Sequence, residues 1–199
     1  MRTPQFIYED NWLAIVNKPC GMVSDRNEHV SNTLEDWIQI HYKRQQSVRP
    51  VLMHRLDRAT SGILIVSKKK SATVLLQSMI ENRQIEKHYL ALVEGVPNRK
   101  QQTLNQFFLK DKAQHKAIIS SSPLTNAYQP VSINYKCIDT KDGYALLDVE
   151  LITGKYHQIR SQLASIAHPI LGDSLYGSVA KSGILNGITL HAYKLIFIH

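Results

Sequence analysis

The sequence is poor in cysteine, which argues against two common ways of stabilising a small fold. Cys20 and Cys137 are the only cysteines among 199 residues, and they do not form a C-x-x-C pair. Neither a disulfide framework nor a cysteine-rich zinc site is therefore indicated. We expect a protein of a reducing compartment, with a core supplied by the hydrophobic residues that make up 43% of the chain.

Long hydrophobic runs are also missing. Uninterrupted aliphatic stretches such as residues 63–66 are far shorter than the roughly 18 residues of a membrane-spanning helix. The first ten residues, MRTPQFIYED, contain no apolar segment of a secretory signal. We expect a soluble, cytoplasmic protein with no membrane partner. Because no linker or repeat divides the chain, we also expect a single domain over residues 1–199.

Motifs that hold cofactors are absent as well. The nine glycines are dispersed and form neither G-x-G-x-x-G nor G-x-x-x-x-G-K, and the nine histidines include no H-E-x-x-H. We therefore expect no nucleotide cofactor and no metal. The G-x-S-x-G motif of serine hydrolases is missing too, which argues against that class of enzyme.

Acidic residues are outnumbered by basic ones. The chain has 16 Asp and Glu against 24 Lys and Arg, which gives a formal net charge of +8. Such a charge favours a polyanionic partner such as nucleic acid. Charge alone leaves open a basic domain that binds no nucleic acid.

Hydrophobic periodicity predicts an α+β protein with a mixed, mainly antiparallel β-sheet and flanking helices. In residues 144–153 the apolar Ala145, Leu147 and Val149 alternate with polar residues, as in a strand with one buried face. Further strands are predicted at residues 6–8, 13–16, 62–68, 87–95 and 127–138.

Helical spacing predicts three helices, in residues 31–42, 71–85 and 154–166. Asn32 followed by Glu35 resembles a capping box for the first helix. We place Arg160 on the flank of the third helix, near its start. The residues predicted to face inward are Leu34, Trp37, Ile38 and His41 in the first helix, Leu75, Leu76, Met79 and Ile80 in the second, and Ile159, Leu163 and Ile166 in the third.

A cluster of polar residues, HRLDRATSG at 54–62, stands directly before the apolar run 63–66. This placement puts the cluster on a loop that enters a strand, where a rigid scaffold can present reactive side chains. A purely structural explanation is also open at this point. It is a turn built on the Asp57 side chain, with an arginine–aspartate pair at the surface.

The segment HRLDRATSGILIVSK resembles the signature of the RluA-type pseudouridine synthases, in which H-R-L-D-x-x-T-S-G precedes an aliphatic strand. Three further segments agree in order and spacing, namely NKPCG at 17–21, KHYLALVEG at 87–95 and TGKYHQIRSQLASIAHPILGDSLYG at 153–177. The resemblance extends from Phe6 to the end of the chain. It implies the catalytic fold of that family, with its sheet bent around a cleft that contains Asp57.

The resemblance also implies roles for individual residues. Asp57 matches the catalytic aspartate, Tyr89 the aromatic residue that lies against the target uracil, and Arg160 the arginine that pairs with the aspartate. The candidates for substrate and RNA contacts are His54, Arg55, Arg58, Thr60, Lys87 and His157. The implied partner is structured RNA, either ribosomal or transfer RNA.

The implied reaction is the isomerisation of uridine to pseudouridine. The N1–C1′ bond breaks, the base rotates and rejoins the sugar through C5, and no cofactor is needed because no group is gained or lost. The family aspartate either attacks C1′ or assists loss of the C2′ proton, and the sequence leaves both roles open. Arg160 would keep Asp57 ionised, since a nearby cation favours the charged form.

The sequence departs from the family pattern at Lys155, where arginine is common, and at Gln162, where histidine is frequent. Nothing before Gln5 can supply the small RNA-binding domain called S4 that many relatives carry, so we expect the catalytic domain to recognise the RNA. We also expect a monomer. The abrupt ending leaves open a missing C-terminal tail. The rival interpretation is an RNA-binding or RNA-folding protein that keeps the fold without turnover. A second alternative is the same isomerisation in a non-stable RNA, which assays of several RNA classes would distinguish.

Overall fold

The computed structural model describes residues 3–26, 30–45, 47–184 and 186–199. The chain forms two compact units. Unit 1 consists of Met1–Ile85, Leu185–Gly187 and Ala192–His199, and unit 2 of Glu86–Ile184 and Ile188–His191. Mainly antiparallel strands with flanking helices build both units, which confirms the predicted α+β class. The prediction of a single domain stays a prediction.

The elements of unit 1 are β1 (Gln5–Glu9), β2 (Leu13–Lys18), α1 (Leu34–Tyr42), β3 (Val51–Leu52), β4 (Ser61–Ser67) and α2 (Lys70–Glu81). The strands are antiparallel and pair in the order β1, β2, β4, with the short β3 also paired to β4.

No helix in the described parts of the chain is long and apolar enough to cross a membrane.

The core of unit 1 lies between α2 and the strands β2 and β4. Leu13, Ile65, Leu76, Met79 and Ile85 form one buried cluster. The helix α2 buries Ala72, Leu76 and Met79, a spacing of four and three residues that defines a single helical face. Leu75 lies off this face and is 62% exposed, so its predicted inward position is wrong.

The N-cap residue of helix α1 lies one position later than predicted. Thr33 is the N-cap, and it forms the capping box with Asp36 rather than Asn32 with Glu35. Asn32 stands before the helix with a φ of +61°. The buried face contains Leu34, Ile38 and Tyr42, whereas the predicted inward residues Trp37 and His41 pack against the exposed strand β1 at Phe6.

Unit 2 is an antiparallel sheet in the order β5, β9, β8, β6, β7. The predicted alternation in β9 is confirmed, since Ala145, Leu147 and Val149 are fully buried. The hairpin of β6 and β7 was not predicted, because β6 is rich in exposed polar residues. The elements are β5 (Glu86–Glu94), β6 (Gln101–Asp111), β7 (Lys116–Ser120), β8 (Gln129–Lys141), β9 (Tyr144–Leu151), α3 (Gln158–Ser165) and a 3₁₀ helix (Ser174–Tyr176); β10 (Leu190–Ile196) begins in unit 2 and continues in unit 1.

The helix α3 buries polar side chains as well as Ile159 and Leu163. The Gln162 side chain is fully buried, and its Nε2 donates to the carbonyl oxygen of Leu104 and to Oε1 of Gln106, at 3.0 and 3.1 Å. Arg160 lies near the start of α3, as predicted, and is only 6% exposed. Ile166 follows the helix and is half-buried.

Gly62 is the second residue of β4 and has a φ of +125°, at a point where another backbone passes very close. A Cβ atom at this position would lie 2.2 Å from the carbonyl oxygen of Ala192 and 2.5 Å from its amide nitrogen, both in β10 of unit 1. Since the obstacle is backbone, no side-chain rotation relieves it. The glycine of the HRLDRATSG segment is therefore required by packing as well as by conformation.

We expect Gly62→Ala to lower the free energy of unfolding by about 3 kcal/mol or more, because overpacking adds to the cost of a positive φ. The matched control is Gly143→Ala in the turn between β8 and β9. Gly143 also has a positive φ, of +81°, but nothing lies within 4 Å of a Cβ there. Its substitution should cost about 1 kcal/mol. Urea unfolding of both variants is the measurement, and equal losses would contradict the proposed overlap with Ala192.

Candidate active site

The predicted site residues divide between the two units. Asp57, His54, Arg55, Arg58 and Thr60 lie in unit 1, on the loop between β3 and β4, and Lys87, Tyr89, His157 and Arg160 lie in unit 2. Among the residues that the structure describes, no three His, Cys, Asp or Glu side chains are arranged to hold a metal ion.

The Asp57 loop begins with a histidine that continues the pairing of β3 with β4. The amide of Met53 donates to the carbonyl oxygen of Ile65 at 2.9 Å, and the amide of Ile65 donates to Nε2 of His54 at 3.3 Å. The imidazole thus takes the place of a backbone acceptor. Further along, the Thr60 amide donates to the carbonyl oxygen of Asp57 at 3.0 Å and closes a turn around the half-buried aspartate.

Residues 20–24, which we call the brace, hold the Asp57 loop from one side. Five hydrogen bonds join the brace to residues 56–59, and they involve backbone and side-chain atoms from both segments. The bonded pairs are Gly21 with Arg58 at 2.8 and 3.2 Å, Ser24 with Leu56 at 2.7 and 3.1 Å, and Cys20 with Ala59 at 2.8 Å. This contact brings the NKPCG and HRLDRATSG segments together in the folded chain.

Lys18, at the end of β2, is a buried cation that the sequence reasoning missed. Its side chain is fully buried and donates to the carbonyl oxygens of Pro19 and Met22, at 3.2 and 2.8 Å. Burial lowers the pKa of Lys18 to about 8, while the charges of Cys20 and Asp57 act in the opposite direction. The available signal was a lysine that ends an apolar strand and precedes a proline–glycine turn.

Arg55 and Arg58 lie at the surface of the loop. The Arg55 guanidinium forms an ion pair with Asp25 at 2.6 Å, in which the side chains are 65% and 43% exposed. Exposed ion pairs contribute at most about 1 kcal/mol, so an RNA phosphate can compete with Asp25 for this guanidinium. Arg58 is also exposed, and its Nε donates to Gly21.

Thr60 carries a polar atom that the protein leaves unsatisfied. Its side-chain oxygen is buried and has no hydrogen-bond partner among the described residues, and the residue is only 2% exposed. An unpaired buried hydroxyl costs about 1–3 kcal/mol. Such a group beside a candidate catalytic residue fits a role in binding better than a role in packing.

Lys87 and Tyr89 stand two residues apart on β5, and therefore on the same face of that strand. Tyr89 is 5% exposed and pairs across the sheet with Val149. The Lys87 ammonium nitrogen lies near Gly154, 4.0 Å from the position that a Cβ atom would take on that glycine. Burial lowers the pKa of Lys87.

Arg160 has a carboxylate partner within its own unit. Nε and Nη2 donate to the two oxygens of Asp173 at 2.6 and 2.9 Å, and both side chains are buried. This two-point geometry fixes the orientation of the guanidinium. The sequence reasoning missed Asp173, although it lies in the matching segment 153–177. The predicted pairing of Arg160 with Asp57 stays a prediction.

His157 and Arg160 meet at Tyr176. His157 precedes α3 with a φ of +51°, and its Nδ1 lies 3.1 Å from the Tyr176 hydroxyl. The guanidinium carbon of Arg160 lies 5.1 Å from the centre of the Tyr176 ring. The structure therefore brings two predicted site residues of unit 2 to one tyrosine.

The burial of Lys18 generates a prediction about pH. Its pKa is lowered from 10.5 to about 8 on folding, so the unfolded chain binds more protons between these values and stability rises with pH across this window. We expect the unfolding free energy of the wild type, minus that of Lys18→Met, to rise by about 2–3 kcal/mol between pH 7 and pH 10.

Urea unfolding at a series of pH values measures this difference. Lys141→Met, at an exposed strand end, is the control and should follow the wild-type curve. In an Asp57→Asn background the rise should begin at lower pH, because the opposing charge of Asp57 is gone. Parallel curves for Lys18→Met and the wild type would show that Lys18 is not a desolvated cation.

Comparison with known proteins agrees with this architecture. The chain is 34% identical to the uncharacterized RNA pseudouridine synthase YhcT of Bacillus subtilis, over 97% of this chain and 63% of that protein. It is 34% identical to tRNA pseudouridine synthase C of Pasteurella multocida, over 99% of this chain and 86% of that protein. It is 32% identical to ribosomal large subunit pseudouridine synthase D of Borreliella burgdorferi, over 95% of this chain and 59% of that protein. The chain thus spans less than two thirds of the length of several curated relatives.

A solved structure shares the fold. Human RNA pseudouridylate synthase domain containing 1 superposes with a TM-score of 0.80 at 22% identity, over 97% of this chain and 78% of that one. This likeness confirms the pseudouridine synthase fold. The family model described as RNA pseudouridylate synthase matches residues 12–165, which include the brace, the Asp57 loop, Tyr89 and Arg160. The chain is therefore a member of the RNA pseudouridylate synthase family, of the RluA type.

Proposed function

We propose that this protein is an RNA pseudouridine synthase whose catalytic carboxylate is Asp57. The observation that carries the proposal is the fixed Asp57 loop. Five hydrogen bonds from the brace hold the loop, and the aspartate lies within electrostatic reach of the buried Lys18 cation. A carboxylate that is oriented and kept ionised is what either form of the reaction requires.

The proposed substrate is a specific uridine in structured RNA. Relatives of the chain are named as enzymes of tRNA and of the large ribosomal subunit, and the net charge of +8 suits a polyanion. Because the reaction is an isomerisation that needs no redox partner and no group donor, we propose that the protein uses neither a cofactor nor a metal. We further propose that it acts as a monomer in the cytoplasm.

Asp57 has two roles open to it in the proposed reaction. As a nucleophile its carboxylate attacks C1′ while the N1–C1′ bond breaks, and as a base it removes the C2′ proton while the same bond breaks. C5 of the rotated uracil then forms the new bond to C1′. In the first route the ester bond between Asp57 and C1′ breaks at this step, and in the second route the protonated Asp57 returns its proton to C2′. In both cases the C5 proton then leaves and N1 takes up a proton. Either role requires a carboxylate in place of the acid, and the proposed pairing with Arg160 would hold that carboxylate in position.

Tyr89 and the remaining residues are proposed to hold the RNA and the base. The target base leaves its stack to reach the carboxylate, and an aromatic ring such as Tyr89 provides a surface against which it can lie. We propose that Arg55 exchanges Asp25 for an RNA phosphate and that the buried Thr60 hydroxyl bonds the substrate. The other proposed contacts are Arg58, Lys87 and His157, while His54 acts by fixing the start of the loop.

We expect Asp57→Asn to lower pseudouridine formation by about a thousandfold or more, since the amide keeps the shape but is neither nucleophile nor base. RNA affinity should stay within about threefold and unfolding free energy within about 1 kcal/mol. The measurement is single-turnover tritium release from RNA containing 5-tritiated uridine, with a filter-binding titration and urea unfolding alongside. Asp142→Asn, in an exposed turn where asparagine is equally suited, is the control and should be fully active.

The outcomes separate the two candidate functions. Turnover by Asp57→Asn within tenfold of wild type, once mass spectrometry has excluded deamidation back to aspartate, would remove Asp57 from the mechanism. A wild-type protein that binds tRNA and rRNA tightly but releases no tritium would instead be the RNA-binding protein of the rival interpretation.

Substitutions at Tyr89 should separate its ring from its hydroxyl. Tyr89→Leu loses the surface for the base and should lower kcat/KM by about ten- to hundredfold, the size of one base–aromatic stack. Tyr89→Phe keeps the ring and should retain more activity. Tyr135→Leu is the matched control, because Tyr135 is equally buried and pairs with the same Val149. Wild-type kinetics for both Tyr89 variants would make Tyr89 an ordinary packing residue.

A further inference from the structure

Two tyrosine hydroxyls fasten the hairpin of β6 and β7 to the part of unit 2 that carries Arg160. The amide of Ala117, in β7, donates to the Tyr176 hydroxyl at 2.8 Å. The Tyr156 hydroxyl donates to the carbonyl oxygen of His115, in the hairpin turn, at 3.2 Å. Both rings also pack on the apolar side of the hairpin, against the cluster of Phe108, Ala117 and Val131.

The hydroxyl of Tyr176 serves two partners at once. It accepts from the Ala117 amide, and burial raises its pKa to about 12, so it keeps its own proton at neutral pH. The same hydroxyl oxygen lies 3.1 Å from Nδ1 of His157. The resulting chain runs from the hairpin amide through the tyrosine hydroxyl to the imidazole. The Tyr176 ring also meets the His157 ring edge to face, at 82°.

The ring of Tyr176 faces the buried guanidinium of Arg160. The guanidinium carbon lies 5.1 Å from the ring centre, and two of the guanidinium nitrogens, Nε and Nη2, donate hydrogen bonds to Asp173. Asp173 and Tyr176 are themselves linked, because the Tyr176 amide donates to the Asp173 carbonyl oxygen at 3.0 Å. A cation–π contact of this kind is strongest where water is excluded, as it is here. Asp173 and Tyr176 together define where the guanidinium lies.

The turn of the hairpin is basic. Lys112 and Lys116 flank it, and its acidic residue, Asp111, accepts hydrogen bonds from the amides of Ala113 and Gln114. Lys110 lies on the face that packs on Tyr156, with its ammonium nitrogen 4.7 Å from the centre of that ring. A phosphate bound by Lys112 and Lys116 would therefore contact the same hairpin that Tyr156 and Tyr176 hold. The hairpin thus connects a basic turn with the tyrosine that contacts Arg160.

We propose that Tyr176 is a positioning residue whose ring orients the Arg160 guanidinium and whose hydroxyl anchors the β6–β7 hairpin. The two contacts use different atoms of one side chain, so a substitution can remove one contact and keep the other. The inference deepens the proposed function and rests on it for the kinetic part of its test.

The two functions of Tyr176 are separated by two substitutions. Tyr176→Phe removes only the hydroxyl. The Ala117 amide should then exchange with solvent about fivefold faster, because its hydrogen bond is lost. KM for RNA should rise several-fold, while kcat stays within about threefold. Tyr176→Met keeps an apolar side chain of similar length but no aromatic face. It should lower kcat by about ten- to hundredfold through misplacement of Arg160.

A spectroscopic readout follows Arg160 directly and does not depend on turnover. The Nε–H resonance of Arg160 in ¹⁵N-labelled protein should remain sharp and slowly exchanging in the wild type and in Tyr176→Phe. In Tyr176→Met it should shift and exchange faster. Tyr135→Phe is the control, since Tyr135 is equally buried and its hydroxyl lies near Arg99 and Gln102. It should change neither the Arg160 resonance nor the exchange of Ala117.

An unchanged Arg160 resonance together with an unchanged kcat in folded Tyr176→Met would overturn the role of the ring. An unchanged Ala117 exchange rate in Tyr176→Phe would overturn the link to the hairpin, and this variant keeps the test decisive if Tyr176→Met does not fold. If the wild type turns over no RNA, the proposed function fails. The resonance and exchange measurements then still decide whether Tyr176 positions Arg160.

Discussion

The hydrogen bonds between the brace and the Asp57 loop are the constraint on which the candidate site in unit 1 depends. A loop that follows the two-residue strand β3 has little regular structure of its own, so its shape must come from another segment. The brace supplies that shape through Gly21, Ser24 and Cys20, and Lys18 in turn closes the brace by donating to the carbonyl oxygens of Pro19 and Met22. The position of the aspartate is thus set by residues 18–24, which lie more than thirty residues earlier in the chain.

Both units bury polar groups close to residues that the family resemblance marks as functional. In unit 1 these are Lys18 and Thr60, and in unit 2 they are Gln158, Gln162 and the Arg160–Asp173 pair. Replacement of a buried ion pair by apolar residues is often neutral or stabilising, so stability alone does not explain the presence of Arg160 and Asp173. The hydrogen bonds of Gln162 to Leu104 and Gln106 fix α3 in one register on β6, which an apolar side chain of similar size would leave less defined.

The sequence was sufficient for the fold class, the family and most strands, because each depends on local pattern. Alternation in β9 and the aliphatic run of β4 reveal buried faces directly, and HRLDRATSG is long enough to identify a family. The β6–β7 hairpin was missed because its polar strands lack a clear period of two. The burial of Lys18 was missed for a different reason. Hydrophobic periodicity assigns charged residues to the surface, whereas Lys18 is held inside by the carbonyl oxygens of Pro19 and Met22. The pairing of Arg160 with Asp173 was missed because it depends on how the chain folds after α3.

The contact of Gly62 with Ala192 has a consequence for the order of events during synthesis. These residues are 130 positions apart, so at about 5–20 residues per second the ribosome makes Ala192 roughly 7–26 s after Gly62. Through this interval β4 has an open flank where β10 will lie, and the glycine that ends the aspartate loop has no backbone against it. The Asp57 loop of the nascent chain therefore lacks this backbone contact until Ala192 has been made.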